Sequence, residues 1–224
     1  MESYYSQKLS AERLRLCYEI APPRVKRYLE TEIEFVLGKI KESDRVLELG
    51  CGYGRVLQRL VGKARTVVGI DTWHASLRLA QEISGIYPSY ILCEMNALEL
   101  GFRDCQFDVV ICIQNGISAF GVDQRKLMEE AMRVTRSGGT VLFSSYSERF
   151  WGDRLEWFQI QSDHGIIGEI DEDATGSGVI VCKDGFRATT VGPDEFLSLS
   201  MDPDIETQIT EVDGSSIFCE VTVQ

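Results

Sequence analysis

The segment Glu48-Leu49-Gly50-Cys51-Gly52-Tyr53-Gly54 is the first place where residue types and spacing offer chemistry. A β-rich run ends at Leu49 and a helical pattern begins at Arg55, so three glycines fall in one strand-to-helix turn. Glycines there let the backbone turn sharply and approach a ligand with no side chain in the way, and the helix that follows presents free N–H groups. A nucleotide-like ligand is expected. Asp71 closes the next β-rich run, 21 residues after Gly50, where a carboxylate can accept hydrogen bonds from both ribose hydroxyls. A dinucleotide fingerprint would need a glycine where Arg55 stands, and Glu48 would sit badly beside a diphosphate. Positive charge on the ligand suits Glu48 better.

These residues need a scaffold that brings two strand ends together. From Arg45 onward, short β-rich runs alternate with helical stretches, the pattern of a parallel sheet covered by helices. Strands are expected at Arg45 to Leu49, Thr66 to Ile70, Tyr90 to Glu94, Phe107 to Ile113 and Thr140 to Ser144. Helices are expected at Arg55 to Val61, Ala75 to Ser84 and Arg125 to Val134, the last capped by Asp123, and Ser137-Gly138-Gly139 supplies the turn into the fifth strand. Ahead of this core, Ser10 opens one helical stretch, Pro22-Pro23 breaks it, and a second carries Val25, Tyr28, Leu29, Ile33, Val36, Leu37 and Ile40 on its apolar positions. Beyond Tyr146 the alternation stops. Asp184-Gly185 and Asp213-Gly214 are each flanked by β-rich runs and predict two antiparallel hairpins, with a short helix around Pro193 to Leu199 between them.

The string Val46 to Gly54 resembles motif I of the class I S-adenosylmethionine-dependent methyltransferases, whose cofactor carries a ribose, an adenine and a sulfonium but no phosphate. The resemblance runs over roughly residues 44 to 146 and is of the small-molecule, methyltransferase-domain 11/25-like kind. It includes Glu94-Met95-Asn96-Ala97, similar to the adenine-reading segment, Phe107 to Asn115, similar to the fourth-strand motif, and Leu127 to Phe143, similar to the helix, glycine turn and fifth strand that follow. It implies a doubly wound, Rossmann-like α/β fold: a seven-stranded sheet, mostly parallel with a C-terminal antiparallel hairpin, N-terminal helices, and a cap inserted after strand five. A single domain over 1–224 is expected, divided into an N-terminal helical lid (1–42), a cofactor-binding core (43–146), an acceptor-side cap (147–200) and a terminal hairpin (201–224). S-adenosylmethionine is the implied cofactor and S-adenosylhomocysteine the product. Gly50, Cys51, Gly52 and Gly54 would form the cofactor turn, Glu48 would orient it and the methionine ammonium, and Asp71 would hold the ribose. Thr72, Asn96 and Ala97 would meet the adenine, and Gln114 would lie beside the methyl group.

Methyl transfer from a sulfonium is an in-line displacement that asks mainly for positioning and desolvation, so no base motif is required. Candidates for the acceptor side follow strands four and five: Gln114, Asn115, Ser118, Ser145 and Tyr146. Tyr4, Tyr5 and Tyr18 would contribute to a lid, and Trp151, Trp157, Phe158, Asp163 and His164 fall where acceptor-binding elements are often inserted. Catalytic candidates are His164, which titrates near neutrality, Tyr146 and Asn115. An acidic run, Glu169, Asp171, Glu172 and Asp173, would favour a cationic amine if it faced the pocket.

Twenty-three Lys and Arg against 35 Asp and Glu give a net charge of -12 over 224 residues, which argues against nucleic acid as partner. The apolar runs are too short to span a membrane, no metal-binding pattern appears, and seven scattered cysteines fit reduced thiols in a cytoplasmic protein. A small-molecule acceptor and a monomer or homodimer complete the expectation. The alternatives are a protein or peptide methyltransferase and a non-catalytic S-adenosylmethionine-binding module.

Overall fold

The computed structural model describes residues 11–85, 90–200 and 205–224, so Tyr4, Tyr5 and Ser10 lie outside the described residues. Helices α1 (Ala11–Glu19) and α2 (Pro23–Leu37) meet at the proline turn, with Pro23 in the first helical position where its missing N–H costs nothing. The core follows as β1 (Arg45–Leu49), α3 (Arg55–Leu60), β2 (Thr66–Asp71), α4 (His74–Ser84), β3 (Tyr90–Glu94), β4 (Phe107–Cys112), the short α5 (Gly116–Ala119), α6 (Gln124–Val134) and β5 (Thr135–Tyr146). Asp123 caps α6 as expected, accepting from the Arg125 and Lys126 N–H groups.

The sheet has seven strands in the order β3-β2-β1-β4-β5-β9-β8, where β8 is Glu206–Val212 and β9 is Ser216–Thr222. β1 to β5 are parallel, β9 runs against β5, and β8 runs against β9, so β9 alone is reversed. The chain steps from β1 to β2 and β3 on one side and returns to β4 and β5 on the other. Their carboxyl ends therefore part at the β1/β4 boundary and leave the crevice where ligands bind in such sheets. Leu47, Val67, Val110, Val141 and Leu142 are buried in the sheet, each worth about 1.5–3 kcal/mol relative to exposure. Asp213 and Gly214 both have positive φ, +53° and +61°, the type I′ geometry that joins β8 to β9.

Two expectations are corrected. β5 begins at Thr135, directly after α6, and Ser137-Gly138-Gly139 lies within it, where a register shift against β4 lets the strand bend. Gly139 has no room for a side chain, since a Cβ there would lie 2.8 Å from the Asp108 carbonyl oxygen. The segment after Tyr146 also carries an unforeseen helix, α7 (Trp151–Asp163). Its buried face is Arg154, Trp157, Phe158 and Gln161, a regular helical stripe hidden in the sequence because both of its ends are polar. The Asp184-Gly185 hairpin is present but small, β6 (Ile180–Val181) with β7 (Arg187–Ala188), and α8 (Pro193–Leu199) lies between it and β8.

Candidate active site

The crevice at the β1/β4 boundary continues into a chamber lined by aromatic side chains, together a cavity of about 260 Å³. Its first end is built by the turns after β1, β2 and β3. Gly50 and Gly52 take positive φ, +73° and +53°, which a side chain would resist, and both line the cavity with Cys51 between them. Gly54 is placed differently: it does not line the cavity, and a Cβ on it would lie 2.4 Å from the Tyr90 hydroxyl. Its role is to let α3 start against β3.

Asp71 is pinned before any ligand arrives. Its Oδ2 accepts from the Gly52 N–H at 2.9 Å and its Oδ1 from the Trp73 N–H at 2.8 Å. A carboxylate has about four lone-pair sites, so accepting capacity remains for a ligand hydroxyl. Burial pushes its pKa up, and the Trp73 and Gly52 N–H groups pull the other way. Thr72, Asn96 and Ala97 all line this end. The Asn96 side-chain oxygen accepts from the Leu98 N–H at 3.0 Å, which shapes the turn and leaves a second lone pair.

Glu48, next to last in β1 and at 5% exposure, has Oε2 buried and without a hydrogen-bond partner. Burial raises its pKa to about 8; the Arg55 guanidinium offsets part of this and the Asp71 carboxylate adds to it. Arg55 stands 4.8 Å above the Tyr18 ring with Nε and Nη2 buried and unpartnered. A buried carboxylate oxygen and a buried guanidinium edge, both unsatisfied and both on one cavity wall, are costly unless a ligand completes them. A zwitterion could complete both, with its ammonium at Glu48 and its carboxylate at Arg55.

The second end lies past Gln114. Gln114 and Asn115 follow β4 with successive left-handed backbones, φ +57° and +61°, a strained pair that needs bracing. The Gln114 N–H donates to Glu32 Oε2 and to Ser144 Oγ, each at 2.8 Å. Asn115 donates to the Thr189 carbonyl at 2.9 Å and accepts from Ser145 Oγ at 2.8 Å. Asn115 lines the cavity, but its amide is committed to holding the loop. Tyr146 also lines it, and burial raises its pKa well above the usual phenol range, so it stays protonated and is a poor base. His164 is not in the site: it is exposed at the end of α7, with Nδ1 2.8 Å from the Ile160 carbonyl oxygen. Glu169, Asp171, Glu172 and Asp173 do not line the cavity, and Glu169 pairs with Lys183. The amine preference that this run would have conferred is withdrawn.

Sequence reasoning missed Glu32 and the positive role of Arg55. Glu32 is fully buried on the α2 face that carries Tyr28, Leu29 and Ile33, and burial raises its pKa to about 7 against the pull of the Ser216 and Ser144 hydroxyls and the Gln114 N–H. An acid inside an apolar stripe was its signal. Gln161 and Phe186 left none, because α7 was not legible and the Asp184-Gly185 hairpin, though predicted, did not show that Phe186 would line the cavity. Among the described residues no group of three or more His, Cys, Asp and Glu side chains is placed to hold a metal, and no helix is long and apolar enough to cross a membrane.

Residues 46–139 match a family described as "Methyltransferase domain". The chain is similar to phosphatidylethanolamine N-methyltransferase of Cereibacter sphaeroides, 32% identical over 132 residues that are 52% of this chain and 64% of that protein. It is also similar to ubiquinone biosynthesis O-methyltransferase of Pseudomonas fluorescens, 32% identical over 104 residues, 45% of this chain and 44% of that protein. The chain thus spans less than two thirds of the length of these curated relatives. In fold it is similar to PH0226 protein of Pyrococcus horikoshii, with a TM-score of 0.65 and 21% identity over 91% of this chain and 92% of that one. N-methyltransferase NodS of Bradyrhizobium japonicum, solved with S-adenosyl-L-homocysteine, superposes with a TM-score of 0.58 and 13% identity over 96% of this chain and 98% of that one.

Proposed function

Since residues 46–139 belong to the class I S-adenosylmethionine-dependent methyltransferases, we propose that this chain methylates a small molecule held in the chamber beyond Gln114. The observation that carries the reading is the single cavity joining the glycine turn to a roofed aromatic chamber. The donor end fits the cofactor: Asp71 for the ribose, Glu48 for the methionine ammonium, Arg55 for the methionine carboxylate, Asn96 and Ala97 for the adenine. When bound, the cofactor supplies a methyl carbon activated by its positive sulfur.

The chain's own residues then position and dry the reaction. Gly50 and Gly52 let backbone approach without side chains, and the brace on Gln114 and Asn115 fixes the wall between the two ends. α1 roofs the chamber through Leu14, Cys17 and Tyr18, and the Trp157 indole N–H donates to the Cys17 carbonyl at 2.9 Å, locking α1 to α7. Exclusion of water strengthens every polar contact inside. This roof favours a small acceptor over a polypeptide, which needs an open groove. The relatives are named for one N- and one O-acceptor, so they leave the methylated atom to be argued from the chamber itself.

Calorimetry with S-adenosylmethionine, S-adenosylhomocysteine and NAD tests the donor end: the first two bind and NAD does not. An acceptor screen that reads S-adenosylhomocysteine release then separates an enzyme from a module that only binds. Failure of both sulfur nucleosides to bind overturns the reading.

A further inference from the structure

The last buried residue on the inner face of α7, Gln161, is a carboxamide with no structural task. α7 turns Trp157, Phe158 and Gln161 to the cavity as one helical stripe, and Gln161 is only 4% exposed. Its main chain is engaged, accepting from the Ile166 N–H at 2.9 Å as α7 ends. Its side chain hydrogen-bonds to none of the described residues and opens on the cavity rather than on packed atoms. A carboxamide sets an accepting oxygen beside N–H donors. Left open among aromatic rings both halves are costly, and a ligand that presents an acceptor beside a donor completes them together.

The other walls set the body and the charge of that ligand. Tyr18 comes from α1, Tyr146 from β5, Trp157 and Phe158 from α7, and Phe186 from the turn before β7, and flat apolar faces suit a flat ring. Among the described lining residues the charged side chains are Glu48, Arg55 and Asp71, all at the donor end. A charged acceptor headgroup would give up its water at the far end with no lining ion to meet it, a cost that falls equally on an ammonium and on a carboxylate. An uncharged amide edge avoids this cost and matches Gln161 donor for acceptor.

Resting on the methyltransferase reading above, we propose that Gln161 determines acceptor specificity and that the acceptor is an uncharged, flat aromatic molecule with an amide edge, a carboxamide or a ring lactam. The Gln161 N–H donates to the ligand carbonyl, and the ligand N–H donates to the Gln161 oxygen. Both polar atoms of that edge are then engaged, so the methyl group goes to another atom of the same molecule. Contact with the rings fixes the plane of the acceptor, and the paired edge fixes its rotation within that plane, which is the orientation an in-line displacement requires. The carboxamide stands on a helix that the Trp157 indole N–H ties to α1 through the Cys17 carbonyl, a support firm enough to hold such a geometry.

The test uses the full chain saturated with S-adenosylhomocysteine, titrated calorimetrically at pH 7.5 with three probes of one shape: benzamide, benzoate and the benzamidinium cation. Benzamide binds at least tenfold more tightly than either ion. Gln161→Glu keeps the size of the side chain but offers oxygens alone, so the order reverses and benzamidinium becomes the tightest of the three, a gain that loss of folding cannot mimic. Gln161→Met keeps the length, removes both polar atoms and lowers benzamide affinity tenfold or more. Tightest binding of benzoate or benzamidinium by the wild type, binding of none of the three probes, an order unchanged in Gln161→Glu, or benzamide affinity untouched in Gln161→Met overturns the proposal. Wild-type S-adenosylhomocysteine binding is measured first, and its absence would overturn the methyltransferase reading on which the proposal rests.

Discussion

Glu48 converts its burial into a proton balance that calorimetry can read. With a pKa of about 8 it is mostly protonated at pH 7, and a methionine ammonium placed against it favours the ionised form. Cofactor binding at pH 7 therefore releases most of one proton, and affinity rises with pH until the free protein's Glu48 is itself ionised. Titrations in two buffers of different ionisation enthalpy measure the count, and Glu48→Gln should abolish it. A wild type that releases no proton would place the ammonium elsewhere. On the proposed ribose assignment Asp71 would hold the ligand while accepting from the Gly52 N–H, so Asp71→Ala should weaken S-adenosylhomocysteine binding by about 1.5–3 kcal/mol, roughly 10- to 150-fold in Kd. Asp71→Asn keeps one acceptor oxygen and should recover part of that loss in the same titration. An affinity unchanged in Asp71→Ala would remove the ribose assignment.

At the level of elements, Gly54 tests whether the third glycine of the turn serves the fold or the ligand. Its φ is +83°, and a Cβ at this position would come within 2.4 Å of the Tyr90 hydroxyl, so Gly54→Ala should destabilise by about 1–3 kcal/mol. The melting temperature should fall by about 2–4 °C per kcal/mol for a chain of this size. Nucleoside affinity should stay near wild type because Gly54 does not line the cavity, and adding Tyr90→Phe should return part of the lost stability. A large loss of affinity at unchanged melting temperature would contradict this division. The glycine turn was legible in the sequence, while the division of labour within it was not. β1, β2 and β4 follow from short, nearly unbroken apolar runs, because parallel strands are buried on both faces, and the helices between them follow from the 3.6 period. The order Glu48, Gly50, Gly52, Asp71 was legible because it lies at the carboxyl ends of β1 and β2 and in the turn that follows β1. α7 was not, since Arg154 and Gln161 sit on its buried face, and the early start of β5 was hidden by two glycines that ordinarily mark a turn. The aromatic chamber joins residues from α1, β5, α7 and the β6–β7 turn, contacts across the chain that periodicity does not report.

Across the whole molecule, two buried acids tie stability to pH. Glu32 rises to about 7 and Glu48 to about 8, from an ordinary value of 4.5. Between that value and about 8 the folded chain holds protons that the unfolded chain has released, so stability falls as pH rises through this window and the slope ends above it. Glu32 alone accounts for a change on the order of 3 kcal/mol. The net charge of -12 adds self-repulsion as the last carboxyls ionise. The groups facing Glu32 are Tyr28 on its own helix, Tyr146 on β5, Cys112 on β4 and Arg55 on α3, and of these only Arg55 is charged near neutrality. Glu32→Gln keeps an oxygen for the Gln114 N–H and removes the ionisation. Its melting temperature should vary less with pH between about 5 and 8 than that of the wild type, and at pH 8 it should melt higher. A variant that melts lower at pH 8, with the slope unchanged, would show Glu32 ionised in the folded state and Arg55 acting as its ion partner. Arg55 would then be drawn away from the ligand carboxylate, and the donor end would lose the cation that makes it fit a zwitterion.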